Sequence, residues 1–220
     1  MQFVYRKSLN EVVRLYKLYS KPVEQIKHPY VEALKKEEPL PLRKLTLENI
    51  VHYNNEVVKL FVSMHGEVLI LPLSDLVAIR GFELRAIKSK DFRFIGDGEP
   101  AFYGFNYFRD FKYGETAFIV EGVKDACAIR EYYPYVVAAL GVTLSRDVFE
   151  FLFKITNKWV FVHDNDFWGR SSEKRIKKLN VKSITVPFGK DLGVIYEEPL
   201  YTQGKEIIRE YIKSVVNIYT

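Results

Sequence analysis

Phe118-Ile119-Val120-Glu121-Gly122-Val123-Lys124-Asp125 and Trp159-Val160-Phe161-Val162-His163-Asp164-Asn165-Asp166 decide how the chain is read. Each is an apolar run that ends on carboxylates, the mark of a strand delivering acids at its carboxyl end. Around them the pattern alternates. Residues 117–120, 135–139, 158–162 and 182–187 read as strands, and 124–132, 144–155 and 169–179 as helices, with Ser145 placed to cap the second helix. Such alternation predicts a parallel sheet with right-handed crossovers. Ligands of such sheets sit outside the carboxyl ends of the strands, where Glu121, Asp164, Asp166 and Asp191 would emerge. Residues 204–218 read as a final helix packing back on this domain.

The chain before residue 116 has a different character. Residues 8–20 have helical spacing, with Ser8 and Glu11 arranged as a capping box. Pro22, Pro29, Pro39 and Pro41 make 21–43 a connecting region, with short helices expected near 30–36 and 45–53. Residues 57–63 and 66–73 read as a hairpin about Met64-His65-Gly66, followed by strands over 76–87 and 92–95. Arg80, Arg85, Lys88, Lys90 and Arg93 make this part basic, either as a solvated strand face or as a binding surface.

At 220 residues, 48% hydrophobic and 28% charged, the chain is long enough for one large domain or two small ones and carries no disorder signature. A net charge of +5 favours a polyanionic partner, and 15 tyrosines and 16 phenylalanines fill a core with some left over for stacking on bases. The single cysteine, Cys127, excludes an internal disulfide and a multi-cysteine zinc site. Residues 1–7 lack the apolar core of a signal peptide and no run reaches membrane-spanning length, so a cytoplasmic protein with no membrane partner is expected.

Several acids at converging strand ends raise one another's pKa unless a cation compensates them. Oxygen ligands without cysteine or paired histidines suit Mg2+ or Mn2+ rather than zinc. Two such ions can serve phosphoryl transfer, one at the attacking and one at the leaving oxygen.

The motifs Glu121-Gly122-Val123-Lys124-Asp125, Ala139-Leu140-Gly141-Val142-Thr143, Asp164-Asn165-Asp166-Phe167-Trp168-Gly169 and Gly189-Lys190-Asp191 resemble, in order and spacing, the Toprim domain of bacterial-type (DnaG-like) replicative primases. Leu69-Ile70-Leu71-Pro72-Leu73, Gly81-Phe82-Glu83-Leu84-Arg85 and Phe102-Tyr103-Gly104-Phe105 resemble the segment that precedes Toprim in that family. The resemblance implies an α/β fold: a Toprim domain over 116–200 with a central parallel sheet flanked by helices, a smaller mixed α+β subdomain over 1–115, and a carboxy-terminal helix over 201–220. It implies template-directed synthesis of short RNA primers on single-stranded DNA from ribonucleoside triphosphates, with two Mg2+ or Mn2+ ions. Glu121 would be the catalytic acid, Asp164 and Asp166 metal ligands, and Asp125 their support. Gly122 and Gly169 would allow close backbone approach. Arg85, Lys190 and Asp191 would meet template or nucleotide. Val68 and Gly98 stand where the family carries basic residues, so Arg80, Lys88 or Arg93 would supply those contacts. Without a zinc ribbon or helicase of its own, the chain would work with a separate template-recognition zinc module and a separate helicase, as in a minimal phage or mobile-replicon primase.

Other readings of the same residues stand beside this one. The same acids would serve a Toprim nuclease that activates water, though the segment before Glu121 argues against it, and a non-catalytic nucleic-acid-binding module would carry them as a vestigial metal site. Asp125 could simply complement the positive end of its helix, His163 complete a strand, and Trp168 cover the sheet or stack on a base.

Overall fold

Strand pairing divides the chain between two sheets. The computed structural model describes residues 4–6, 43–45, 56–140, 144–179, 181–186, 191–192 and 202–219. The helices expected over 8–20 and 30–36, and nearly all of that over 45–53, lie outside these residues. Contacts group into two units, Met1–Ala101 and Phe102–Thr220.

The first unit holds β1 (Val4–Arg6), β2 (Arg43–Leu45), α1 (Glu56–His65), β3 (Val68–Ser74), β4 (Ile79–Ala86) and β5 (Phe92–Gly96). Its sheet runs β1-β5-β4-β3-β2; β1 joins β5 in parallel and the other pairs are antiparallel. The hairpin expected about residues 64–66 is corrected here, because residues 56–65 are a helix. Val58, Phe61 and Val62 are its buried residues, the i, i+3, i+4 spacing of a helix face. Glu56 complements the amino-terminal turn. Gly66 stops the helix at φ +74, its N–H donating to the Val62 carbonyl at 2.7 Å. The buried face of α1 packs with Val68, Ile70, Phe82, Leu84 and Ile95.

The register of β4 slips between Leu73 and Ser74, which leaves Arg80 as the extra residue of a bulge. Ile79 therefore points to the same core as Phe82. In the turn before β4, Asp75 accepts the N–H groups of Val77 (2.6 Å) and Ala78 (2.7 Å).

The second unit begins with a 3-10 turn at Phe105–Tyr107 and continues through β6 (Ala117–Val120), α2 (Val123–Arg130), β7 (Val136–Ala138), α3 (Arg146–Phe153), β8 (Trp159–His163), α4 (Phe167–Lys177), β9 (Lys182–Thr185) and α5 (Thr202–Tyr219). All pairs of the sheet are parallel, in the order β7-β6-β8-β9. The expected alternation is therefore met, and the Ser145 side chain accepts the Val148 N–H at 3.4 Å to cap α3. Phe102, Phe105, Phe108, Phe149, Trp159 and Phe161 fill the core, and the Trp159 indole N–H donates to the Leu152 carbonyl at 2.8 Å. Helix α5 packs on α2, with Ile212 and Val215 buried. Among the described residues no helix is long and apolar enough to cross a membrane.

Candidate active site

Val120 pairs with Val162 across β6 and β8, so the residues that follow each strand leave the sheet at one level. Glu121 follows β6 directly. Its carbonyl accepts the N–H of Leu140 at 3.1 Å, one residue beyond the bond from Ala139 N–H to the Val120 carbonyl at 2.9 Å. Leu140 holds φ at +47, in the left-handed region, and is 4% exposed. That conformation costs an L-residue on the order of 1–2 kcal/mol. The backbone that presents Glu121 is thus tied to the end of β7 through a strained, buried residue.

Asp125 and Asp166 each hold the start of a helix. The Gly122 N–H donates to Asp125 Oδ2 at 3.2 Å, and the Gly169 N–H donates to Asp166 Oδ1 at 2.9 Å. Both carboxylates complement the positive ends of α2 and α4. The capping reading of Asp125 is therefore true of one of its oxygens, and the same holds for Asp166.

Asp164 follows β8 directly and is partly buried. Burial pushes its carboxyl up to about 8, helped by the charges of Asp125, Glu121, Asp191 and Asp166. Four acids from the ends of three chain segments thus act on a fifth, while Asn165 is exposed to solvent. Among the described residues no three histidine, cysteine or acidic side chains are gathered at ligating distance. The acids share a field without converging, as like charges do. An all-oxygen donor set under this repulsion fits a hard divalent cation, whose charge would draw the carboxylates together.

The backbone of Asp164 is confined from the other side. A Cβ on Gly169 would stand 2.0 Å from the Asp164 carbonyl oxygen, so only glycine lets α4 begin this close to the strand end.

Residues 118–193 match the Toprim-like family. A DNA primase of Clostridium acetobutylicum is 30% identical over 123 residues, a stretch covering 53% of this chain and 20% of that protein; the match thus spans about a fifth of its length. A DnaG primase catalytic domain solved bound to single-stranded DNA superposes over 94% of this chain and 78% of its own, with a TM-score of 0.64 and 16% identity. The zinc-binding and RNA polymerase domains of the Aquifex aeolicus primase give a TM-score of 0.64 at 20% identity, over 94% of this chain and 62% of theirs. This is the fold of a DnaG-like primase core carrying a Toprim-like domain.

The residues expected to meet nucleic acid are spread over both units. Asp191 joins the carboxylate group of the Toprim-like domain, while Lys190 lies outside the described residues. In the first unit Arg85 is held by the fully buried Glu83 and stands over the Phe92 ring at 5.5 Å. Burial raises the Glu83 carboxyl against the opposing pull of Arg85, and Glu83 Oε2 meets no partner among the described residues. Arg93 stands over Phe61 of α1 at 5.6 Å. Because Arg85 pairs with Phe92 and Arg93 with Leu84, the two arginines face opposite sides of the sheet. Arg80 is engaged by Asp75 at 2.6 Å and Asp97 at 3.3 Å. Lys88 is exposed in the turn between β4 and β5, and Val68 is fully buried in the core.

Three features of the Toprim-like domain escaped sequence reasoning. Leu140 carries a strain that no residue type announces. Phe167, next to Asp166, is 70% exposed, although sequence reasoning weighed only the neighbouring Trp168 as an aromatic that could stack on a base or cover the sheet. His163 is fully buried and bonded at both ring nitrogens, and 22 residues of sequence conceal the second partner, Thr185.

Proposed function

We propose that this chain is a primase catalytic core that joins ribonucleotides on a single-stranded DNA template. The observation that carries the reading is the carboxylate group at the ends of β6 and β8, set in the DnaG-type fold. Glu121, Asp125, Asp164 and Asp166 would hold Mg2+ or Mn2+, in one or two sites. The bound cation would polarise the α-phosphate and acidify the attacking 3′ hydroxyl. Glu121 would accept the proton of that hydroxyl as the new phosphodiester forms and pyrophosphate leaves. Asp125 and Asp166, each anchored through one oxygen to a helix start, would keep the site from reorganising during the step. Exposed Phe167 would offer a ring to a base beside the acids.

Arg85 would meet template or nucleotide phosphate from the sheet of the first unit, with Lys88 as its basic neighbour. Lys190 and Asp191 would serve the nucleotide. Arg80, already engaged by two carboxylates, and Arg93, on the other face, fit that task less well. A helicase and a zinc-bearing template reader would be supplied by other domains or partners.

Incubation with ribonucleoside triphosphates, Mg2+ or Mn2+ and single-stranded DNA circles should yield short RNAs. No product with any metal, template or accessory protein overturns the proposal. Metal-dependent strand cleavage without incorporation would assign the acids to a nuclease instead.

A further inference from the structure

His163 is the last residue of β8 and has no solvent exposure, although its neighbour Asp164 stands at the carboxylate group. Its ring is bonded on both sides. Nδ1 lies 3.0 Å from the Asp164 carbonyl oxygen, which can only accept, so Nδ1 carries the proton. Nε2 lies 3.1 Å from Thr185 Oγ1, and in the neutral ring it is the acceptor of that hydroxyl's proton. Thr185 is the residue paired with His163 on β9, and its own carbonyl accepts the Tyr211 hydroxyl of α5 at 2.9 Å. Glu173 of α4 stands 3.8 Å from Nε2, and the Phe161 ring stacks on the imidazole with centroids 6.0 Å apart. The Asp164 carbonyl is thus bonded to the imidazole and also lies so near Gly169 that a Cβ there would stand 2.0 Å from it.

We infer that His163 is a positioning residue: held by Thr185, it fixes the Asp164 peptide and so the direction in which the Asp164 carboxylate is presented to a divalent cation. A buried strand end needs no histidine for packing. Phe or Leu would fill the volume without burying two polar nitrogens, whose satisfaction requires a specific partner on each side. A ring bonded at both nitrogens cannot rotate without breaking both bonds, which gives the peptide beside it one orientation. The role rests on the reading of Asp164 as a metal ligand, and its test separates the two.

The test is Mn2+ binding to the whole chain, followed by the electron paramagnetic resonance of free Mn2+, together with thermal melting. His163→Phe keeps the ring and loses both bonds; it should weaken Mn2+ binding about tenfold or more, as loss of an outer partner of a metal ligand does. His163→Asn places an amide N–H where Nδ1–H stood, and should recover most of that loss. Thr185→Val, which leaves the histidine unanchored at Nε2, should weaken binding by a smaller factor, and it carries the test if His163→Phe does not fold. Equal losses of melting temperature in His163→Phe and His163→Asn, with Mn2+ affinity unchanged in both, would make the histidine merely structural and overturn the inference. So would a folded Thr185→Val that binds Mn2+ as the unaltered chain does. Asp164→Asn is the control: unchanged Mn2+ binding there removes the metal-site reading itself, and this inference with it.

Discussion

Gly169 and Asp164 are in backbone contact: a Cβ on the glycine would stand 2.0 Å from the aspartate carbonyl oxygen. Gly169→Ala must therefore push the start of α4 away from the end of β8 and break the bond from the Gly169 N–H to Asp166. We expect a stability loss of about 1–3 kcal/mol, typical of forced overpacking, and a fall in Mn2+ affinity larger than the fall in stability suggests. Melting curves and Mn2+ titration check both.

The metal-free protein should lose stability as pH rises. Asp164 titrates near 8 in the folded chain against 3.8 for the free carboxyl, so the folded state holds an extra proton between these values. Its contribution is fully present below pH 3.8, declines above it, and is gone once pH passes about 8. Melting temperature measured without metal should fall across this window, and Mg2+ should restore it at the alkaline end. Asp164→Asn should flatten the slope and raise the metal-free melting temperature near pH 8.

Glu121→Gln should reduce nucleotide incorporation by about 10²–10⁴-fold, the usual range for a lost general base. Removing a charge that acts on Asp164 should leave the metal-free fold at least as stable. Primer synthesis compared with thermal melting separates the two effects, and a large loss of melting temperature would count against the catalytic role.

Arg85→Ala would take the guanidinium away from a fully buried Glu83. Breaking a buried pair on one side costs about 3–5 kcal/mol, so the single variant should be markedly unstable. Glu83→Gln combined with Arg85→Ala should recover much of that stability. Nucleic-acid affinity measured on the double variant then reports on Arg85 alone, and should remain low.

Phe167→Ala should leave melting unchanged, because the ring is 70% exposed. If the ring stacks on a base, affinity for single-stranded DNA or nucleotide should fall by about 1–3 kcal/mol. Fluorescence anisotropy with a labelled oligonucleotide checks it.

Much of the second unit was legible because parallel-sheet strands announce themselves. Residues 117–120 are apolar throughout and run straight into Glu121, and the strand expected there has those bounds. The expected helix starts at Leu144 and Gly169 lie within two residues of the observed ones, Arg146 and Phe167. Residues 56–65 were misread because Val57, Val58, Phe61 and Val62 favour strands by type, while the spacing of Val58, Phe61 and Val62 is helical. In a short run of β-branched and aromatic residues composition and period disagree, and the packing of one face against β3, β4 and β5 decided for the helix.

What the sequence by itself determined is the alternation that makes a parallel sheet and the placing of acids directly after its apolar strands. Those are properties of neighbours in the chain. The tertiary structure alone decided which groups act on one another. It brought Asp125, Glu121, Asp191 and Asp166 close enough to raise Asp164, and turned Arg85 and Arg93 to opposite faces of one sheet. It also bonded His163 to Thr185, 22 residues away. Electric fields and hydrogen bonds depend on distance through space, and that distance exists only once the strands have paired.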